Sequence, residues 1–168
     1  MLVEHYTLVP GKLFAGEFPG HPNPATSLAR LASLAEEGVR TFLDLTPVED
    51  PLEPYEEQLA EVMPGLRYFR HPIPDMGIPS SPAVMRGILD RIAEETAAGH
   101  PVYFHCWGGI GRTGTVAGCW FREQGLGGDA ALDAVQKLYS TMPKSERFST
   151  PTSPQTPVQF DYVRRWAK

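Results

Sequence analysis

Pro101-Val-Tyr-Phe-His-Cys-Trp-Gly-Gly-Ile-Gly-Arg-Thr-Gly114 is the stretch that decides the fold. Its first half, Pro101 to His105, is a short apolar run of strand length, apolar on both faces as a strand buried in the middle of a sheet must be. Trp107-Gly-Gly-Ile-Gly111 follows as a glycine loop, and Arg112 to Gln124 then reads as a helix. A strand, a glycine loop and a helix N-terminus in that order aim several backbone N–H groups at one point, where the helix dipole also favours negative charge. The same amides and dipole stabilise a thiolate, so Cys106, at the first position of this nest, is the expected nucleophile. Arg112 closes the loop, and its planar fork suits two oxygens of one oxyanion in a way a lysine ammonium cannot.

Working outward, Pro and Gly divide the rest of the chain into short units. Leu13-Phe-Ala15 reads as a strand, and Asn23 to Glu37 as a helix that opens on a capping residue and stops at Gly38. Val39 to Leu45 is a β-rich run, Thr46 to Pro54 an acidic, Pro-rich loop, Tyr55 to Val62 a short helix, and Leu66 to Ile73 another strand. A loop over Pro74 to Pro79 leads to a helix from Ser81 to Gly99, with Val84, Ile88, Leu89 and Ile92 on one side. Asp129 to Tyr139 and Pro157 to Trp166 are further helices. The alternation predicts an α/β fold: a central mixed, mostly parallel sheet flanked by helices, with the cysteine loop between a central strand and a helix.

With 168 residues, 42% hydrophobic and 21% charged, the chain suits one domain spanning 1–168. Apart from a Ser/Thr/Pro segment at 149–157 there is no low-complexity run. A net charge of −5 gives no help to a complex with nucleic acid or an anionic membrane, so neither is expected as a partner and an anionic substrate needs a local capture device. Cys106 and Cys119 are the two cysteines, without C-x-x-C spacing, which argues against a disulfide scaffold or a metal site. Cys119 reads as a packed small hydrophobe. The N-terminus lacks a basic segment followed by an apolar run, no stretch is long enough to span a bilayer, and a cytoplasmic location is expected.

His105-Cys106, Gly109 and Arg112-Thr113-Gly114 match every specified position of H-C-x-x-G-x-x-R-[ST]-G, and the segment resembles the cysteine loop of the protein tyrosine phosphatase superfamily. That resemblance implies hydrolysis of phosphate monoesters through a phosphocysteine on Cys106, without cofactor or metal. Trp107, Gly108, Gly109, Ile110, Gly111 and Arg112 would cradle the phosphoryl group. His105 would support thiolate and loop, and Thr113 would give its hydroxyl to the sulfur. Expulsion of an alkoxide or phenoxide calls for a proton donor, in this family an Asp on a mobile loop upstream. Asp75, in His71-Pro-Ile-Pro-Asp-Met-Gly-Ile-Pro-Ser80, fits, although Pro74 stands where classical tyrosine phosphatases often have Trp. Gln155-Thr-Pro-Val-Gln159 is similar to the family's Q-T-x-x-Q segment, which gives Gln155 the hydrolytic water and Gln159 a supporting role at the substrate. Lys12-Leu-Phe-Ala-Gly16 resembles the opening segment of small dual-specificity phosphatases.

Trp107, Gly108, Ile110 and Gly111 are neutral, which suits a single phosphoryl group on a weakly charged body. The expected substrate is a phosphorylated protein or small phosphomonoester, phosphotyrosine foremost, with phosphoserine and phosphothreonine admitted because the chain has no room for the long loop that deepens the slot in classical enzymes. Phe14, Phe18, Tyr103, Trp107 and Met76 are candidate walls. Asp44 reads as a structural acceptor at a strand end, and Glu49, Asp50 and Glu53 either approach the mouth of the site or, the reading preferred, form a solvated acidic loop. Two other classes remain: a phosphate-binding module with weak or no turnover, and a rhodanese-type sulfur transferase, in which Arg112-Thr113-Gly114 and Gln155 would have no role.

Overall fold

Tyr103 and Phe104, adjacent and both fully buried, point to opposite faces of one strand, and that alternation organises the molecule. The computed structural model describes residues 1–147, 149 and 151–167, so Thr150 of the Ser/Thr/Pro run and Lys168 lie outside the described residues. Strands β1 (His5–Val9), β2 (Leu13–Gly16), β3 (Thr41–Asp44), β4 (Arg67–Arg70) and β5 (Val102–His105) form one sheet in the order β1-β2-β5-β3-β4. β1 runs antiparallel to β2, and every other pairing is parallel, which is the mixed, mostly parallel α/β sheet expected.

Leu13, Ala15, Leu43, Val102 and Phe104 face one core, with Met85, Ile88, Leu89 and Ile92 of α3 (Pro82–Ala97) and Val116 and Cys119 of α4 (Gly111–Glu123). α5 (Gly128–Tyr139) and α7 (Pro157–Arg165) close over that side. Phe14, Phe42 and Tyr103 face the other core, against Leu31 and Leu34 of α1 (Pro24–Glu36), Tyr55, and Leu59 of α2 (Leu59–Val62). β5 is therefore covered on both faces, which is why its sequence shows no polar alternation.

The observed strands are shorter than the β-rich runs. Val39 N–H is used by the Leu34 carbonyl (3.1 Å) to close α1, and Thr46 N–H turns back onto Asp44 Oδ1 (2.8 Å), ending β3. Two elements had no expectation. β1 is an edge strand with a bulge between Thr7 and Val9, and its polar His5 and Thr7 break any apolar run. The single turn α6 (Lys144–Arg147) is too short to show a period. Among the described residues no helix is long and apolar enough to cross a membrane.

The register places Gly16 and Asp44 each beside His105, and Arg70 beside Asp44, so the four parallel strands end at one edge of the sheet. Loops 45–54, 71–79 and 106–110 all leave from that edge, where open parallel sheets present their ligand sites.

Candidate active site

His105 ends β5 fully buried, between the Tyr55 hydroxyl 2.6 Å from Nε2 and the Cys106 carbonyl oxygen 3.0 Å from Nδ1. Burial holds the imidazole below its ordinary pKa, outweighing the opposing pull of Asp44. Burial likewise keeps the Tyr55 hydroxyl protonated. A neutral ring that donates from Nδ1 and accepts at Nε2 satisfies both contacts. Asp44, equally buried, accepts from Thr46 N–H (2.8 Å), Thr46 Oγ1 (2.6 Å) and Tyr68 Oη (2.7 Å). Burial alone would raise its carboxyl, but nearby His105 and these hydrogen bonds bring it below the usual value. It is the structural acceptor expected at that strand end.

Beyond His105 the loop is held through its carbonyls. Cys106 O accepts from His105 Nδ1, Trp107 O from Phe18 N–H (2.9 Å), Gly108 O from Lys144 Nζ (2.7 Å), and Ile110 O from Ser153 Oγ (2.6 Å). In a planar trans peptide each carbonyl opposes the next residue's N–H, so donors outside the loop turn its amides away from themselves. Gly109 has φ of 78°, and a Cβ there would come 2.5 Å from the Gly16 carbonyl carbon, so glycine is required on both counts. α4 starts at Gly111, its N-terminus facing the loop and its first nine residues buried. Thr113 Oγ1 lies 3.0 Å from Cys106 Sγ and 3.3 Å from Gly16 O, with one proton to give.

Arg112 is 2% exposed, and its guanidinium is fixed on three sides. Nη1 donates to Asp50 Oδ2 (2.9 Å) and to Ile73 O (3.1 Å), and Nη2 faces Asp75 Oδ1 at 3.1 Å. Asp50 therefore corrects the expectation of a fully solvated acidic loop. Its side chain is only 10% exposed because it is drawn onto a buried cation, whereas Glu49 and Glu53 are exposed as expected. Asp75 sits in a turn closed by Gly77 N–H on Pro74 O (3.0 Å), with Met76 at φ 63°, and is half exposed.

Asp75, Met76, Cys106, Trp107, Gly108, Ile110, Gly111, Arg112 and Gln155 line one cleft of about 250 Å³. Cys106, Arg112, Asp75 and Gln155 are thus brought together from three parts of the chain. His105 and Thr113 sit behind the loop, as supports. Gly109 packs against Gly16 on the side of its Cα where a Cβ would stand. Gln159 lies outside the cleft: it is fully buried, Oε1 accepting from the N–H groups of Gln155 (3.0 Å) and Thr156 (3.1 Å), and Nε2 donating to Gly77 O (3.0 Å). Its capping role at the start of α7 takes up the amide oxygen, and its Nε2 ties the Asp75 loop to the Gln155 segment through Gly77 O. Of the candidate walls, Trp107 and Met76 stand half exposed at the cleft, while Phe14, Phe18 and Tyr103 are core. Cys119 is buried and unpaired with Cys106, its thiol pushed up by burial. Sequence reasoning gave no role to Tyr55, Lys144 or Ser153, whose partners are remote in the chain. Buried polar side chains of that kind become visible only when the fold supplies the acceptor.

A cysteine at the first position of a glycine loop that leads into a helix N-terminus, with a buried guanidinium and a carboxyl lining the same cleft, can seat a tetrahedral oxyanion, and fold and cleft together define the protein tyrosine phosphatase class. The chain belongs to a dual-specificity-like family of that class, as residues 18–126 match the family described as "Polymorphic toxin system, DSP-PTPase phosphatase". It is 31% identical over 129 residues to the mouse receptor-type tyrosine-protein phosphatase epsilon, a match covering 74% of this chain and 17% of that relative's length. Among solved structures, the active form of Tk-PTP superposes with a TM-score of 0.75 at 23% identity, covering 98% of this chain and 96% of the other. The core catalytic domain of the PP-IP phosphatase Siw14 from S. cerevisiae gives 0.68 at 18% identity, covering 96% and 85%. At such identities these two likenesses concern the fold.

Proposed function

We propose that the chain hydrolyses phosphate monoesters through a phosphocysteine on Cys106, with protein phosphotyrosine the preferred substrate and phosphoserine and phosphothreonine secondary ones. The observation that carries this reading is the convergence of Cys106, Arg112, Asp75 and Gln155 on one cleft. The Cys106 thiolate attacks phosphorus in line with the leaving oxygen, and the ester P–O bond breaks as the S–P bond forms. Arg112 exchanges the Asp75 carboxylate for two phosphoryl oxygens and meets the charge that spreads over them in the transition state. Released from Arg112, the Asp75 carboxylate takes up a proton from solvent and gives it to the leaving oxygen. Water held by Gln155 then attacks phosphorus and returns a proton to Asp75, and Thr113 donates to the sulfur as the S–P bond breaks.

Arg112 is the one basic side chain among the described residues lining the cleft, and Met76 and Trp107 give it apolar flanks. An aryl ester carrying a single phosphoryl group suits such walls, whereas an inositol polyphosphate would bring several phosphoryl groups to one cation. The test is turnover of p-nitrophenyl phosphate with a chelator present. Activity that persists and is blocked by vanadate is expected. Activity that returns only with a divalent metal would rule out the cysteine mechanism, and no release at all would favour a binding module. Phosphotyrosyl peptides should exceed inositol polyphosphates in kcat/KM, and the reverse order would overturn the specificity.

A further inference from the structure

Lys144 is 5% exposed and stands beneath the cysteine loop, although it comes from the one-turn α6 near the other end of the chain. Its Nζ lies 2.7 Å from Gly108 O and 2.6 Å from Glu17 Oε1. Glu17 is itself fixed, its Oε2 accepting from Glu4 N–H (3.0 Å) and Arg30 Nη2 (3.3 Å), while Glu4 Oε1 accepts the Lys144 N–H at 2.6 Å. The ammonium is therefore held between a compensating carboxylate and one carbonyl of the phosphate cradle.

That carbonyl belongs to the Gly108–Gly109 peptide, the one link of the loop flanked by two residues without Cβ. Glycine gives such a peptide the widest choice of φ and ψ, so its plane needs an external determinant. Trp107 O is held by backbone, Cys106 O by a neutral imidazole and Ile110 O by a hydroxyl, whereas Gly108 O receives a charged donor, which makes the stronger hydrogen bond. We propose that Lys144 is a positioning residue for catalysis: by holding Gly108 O outward it turns the Gly109 N–H toward the bound phosphoryl oxygens. Its role is to fix a donor and not to touch substrate. The proposal rests on the phosphatase reading above and assigns one more determinant of the same cradle.

The experiment compares the unaltered protein with Lys144→Met, which keeps length and apolar bulk but cannot donate, and with Arg147→Met. Arg147 shares α6 and pairs with Glu4 without touching the loop. Vanadate inhibition of p-nitrophenyl phosphate hydrolysis is measured together with the ¹⁵N–¹H resonances of glycine-labelled protein. Loss of one cradle donor should raise the vanadate Ki about tenfold in Lys144→Met. The vanadate-induced shift of the Gly109 amide should vanish there while that of Gly111 persists. Arg147→Met should loosen α6, read as a lower melting temperature, yet keep the parental Ki and both shifts. A parental Ki and Gly109 shift in folded Lys144→Met would overturn the proposal. So would a Gly109 amide that ignores vanadate in the unaltered protein, a result readable even where Lys144→Met does not fold. If instead the unaltered protein neither turns over the ester nor binds vanadate, it is the phosphatase reading that has failed.

Discussion

Arg112 meets two carboxylates with one guanidinium, and the difference between them separates their roles. Asp50 is largely buried and shares Nη1 with the Ile73 carbonyl, as a fixed strut would, whereas Asp75 is half exposed on a turn and can leave Nη2 when an oxyanion arrives. Replacing the half-exposed one should remove proton donation and spare the cradle. Asp75→Ala is expected to lower kcat on a phosphotyrosyl peptide by ~10² to 10⁴, the range for a general acid, with little change in KM. The loss should be smaller on p-nitrophenyl phosphate, whose leaving group needs little protonation, and steady-state kinetics on the two substrates checks both statements. Equal turnover of the peptide would move the acid elsewhere. Cys106, Arg112 and Thr113 were legible in the sequence because their spacing is fixed by one strand, one loop and one helix start. Asp50 was not, because its partner lies 62 residues away and nothing local distinguishes it from Glu49 and Glu53. Lys144 was hidden for the same reason, its acceptor being a backbone carbonyl that carries no side-chain signature.

Elements defined by local pattern came through: the buried strand β5, α3 with its apolar stripe, and α4 and α7 with their starts. The edge strand β1 and the single turn α6 did not, since one draws its order from pairing with β2 and the other from ion pairs to Glu4 and Glu17. Gln159 shows how a motif can locate a residue without disclosing its partners. The Q-T-x-x-Q resemblance located both glutamines, but the capping geometry of α7 commits the second to two N–H groups and to Gly77 O. Gln159→Leu strands those buried groups, at roughly 1–3 kcal/mol for each left unpaired. A drop of about 2 kcal/mol or more in urea unfolding is expected, together with faster proteolysis in the 74–79 turn. An unchanged midpoint would mean that the tie to Gly77 contributes nothing.

Folding carries His105 from water to a fully buried site where burial opposes its protonation, and His71, half buried near Arg91, is depressed in the same direction. Both folded values lie below the ordinary 6.5, so their contribution to stability is complete above that pH. As pH falls below it the unfolded chain takes up protons that the folded one refuses, and stability is lost. Asp44, held below its ordinary 3.8, adds a second loss of the same sign in more acidic solution. The urea midpoint should therefore fall steadily from about pH 7 to about pH 5. A midpoint flat across that range would contradict the neutral, doubly hydrogen-bonded His105. The same buried ring holds the cysteine loop by its first carbonyl, so the stability of the molecule and the geometry of the cleft depend on one proton state. The proposed function turns on a covalent step on Cys106, and the most direct test is to catch that step. Gln155→Ala should slow hydrolysis of the phosphocysteine more than its formation. On rapid mixing with a phosphotyrosyl peptide, acid quenching and mass spectrometry of the fragment containing Cys106, one phosphoryl group on the thiol is predicted, accompanied by a burst of dephosphorylated peptide. Continued turnover with an unmodified Cys106 and no burst would contradict the account.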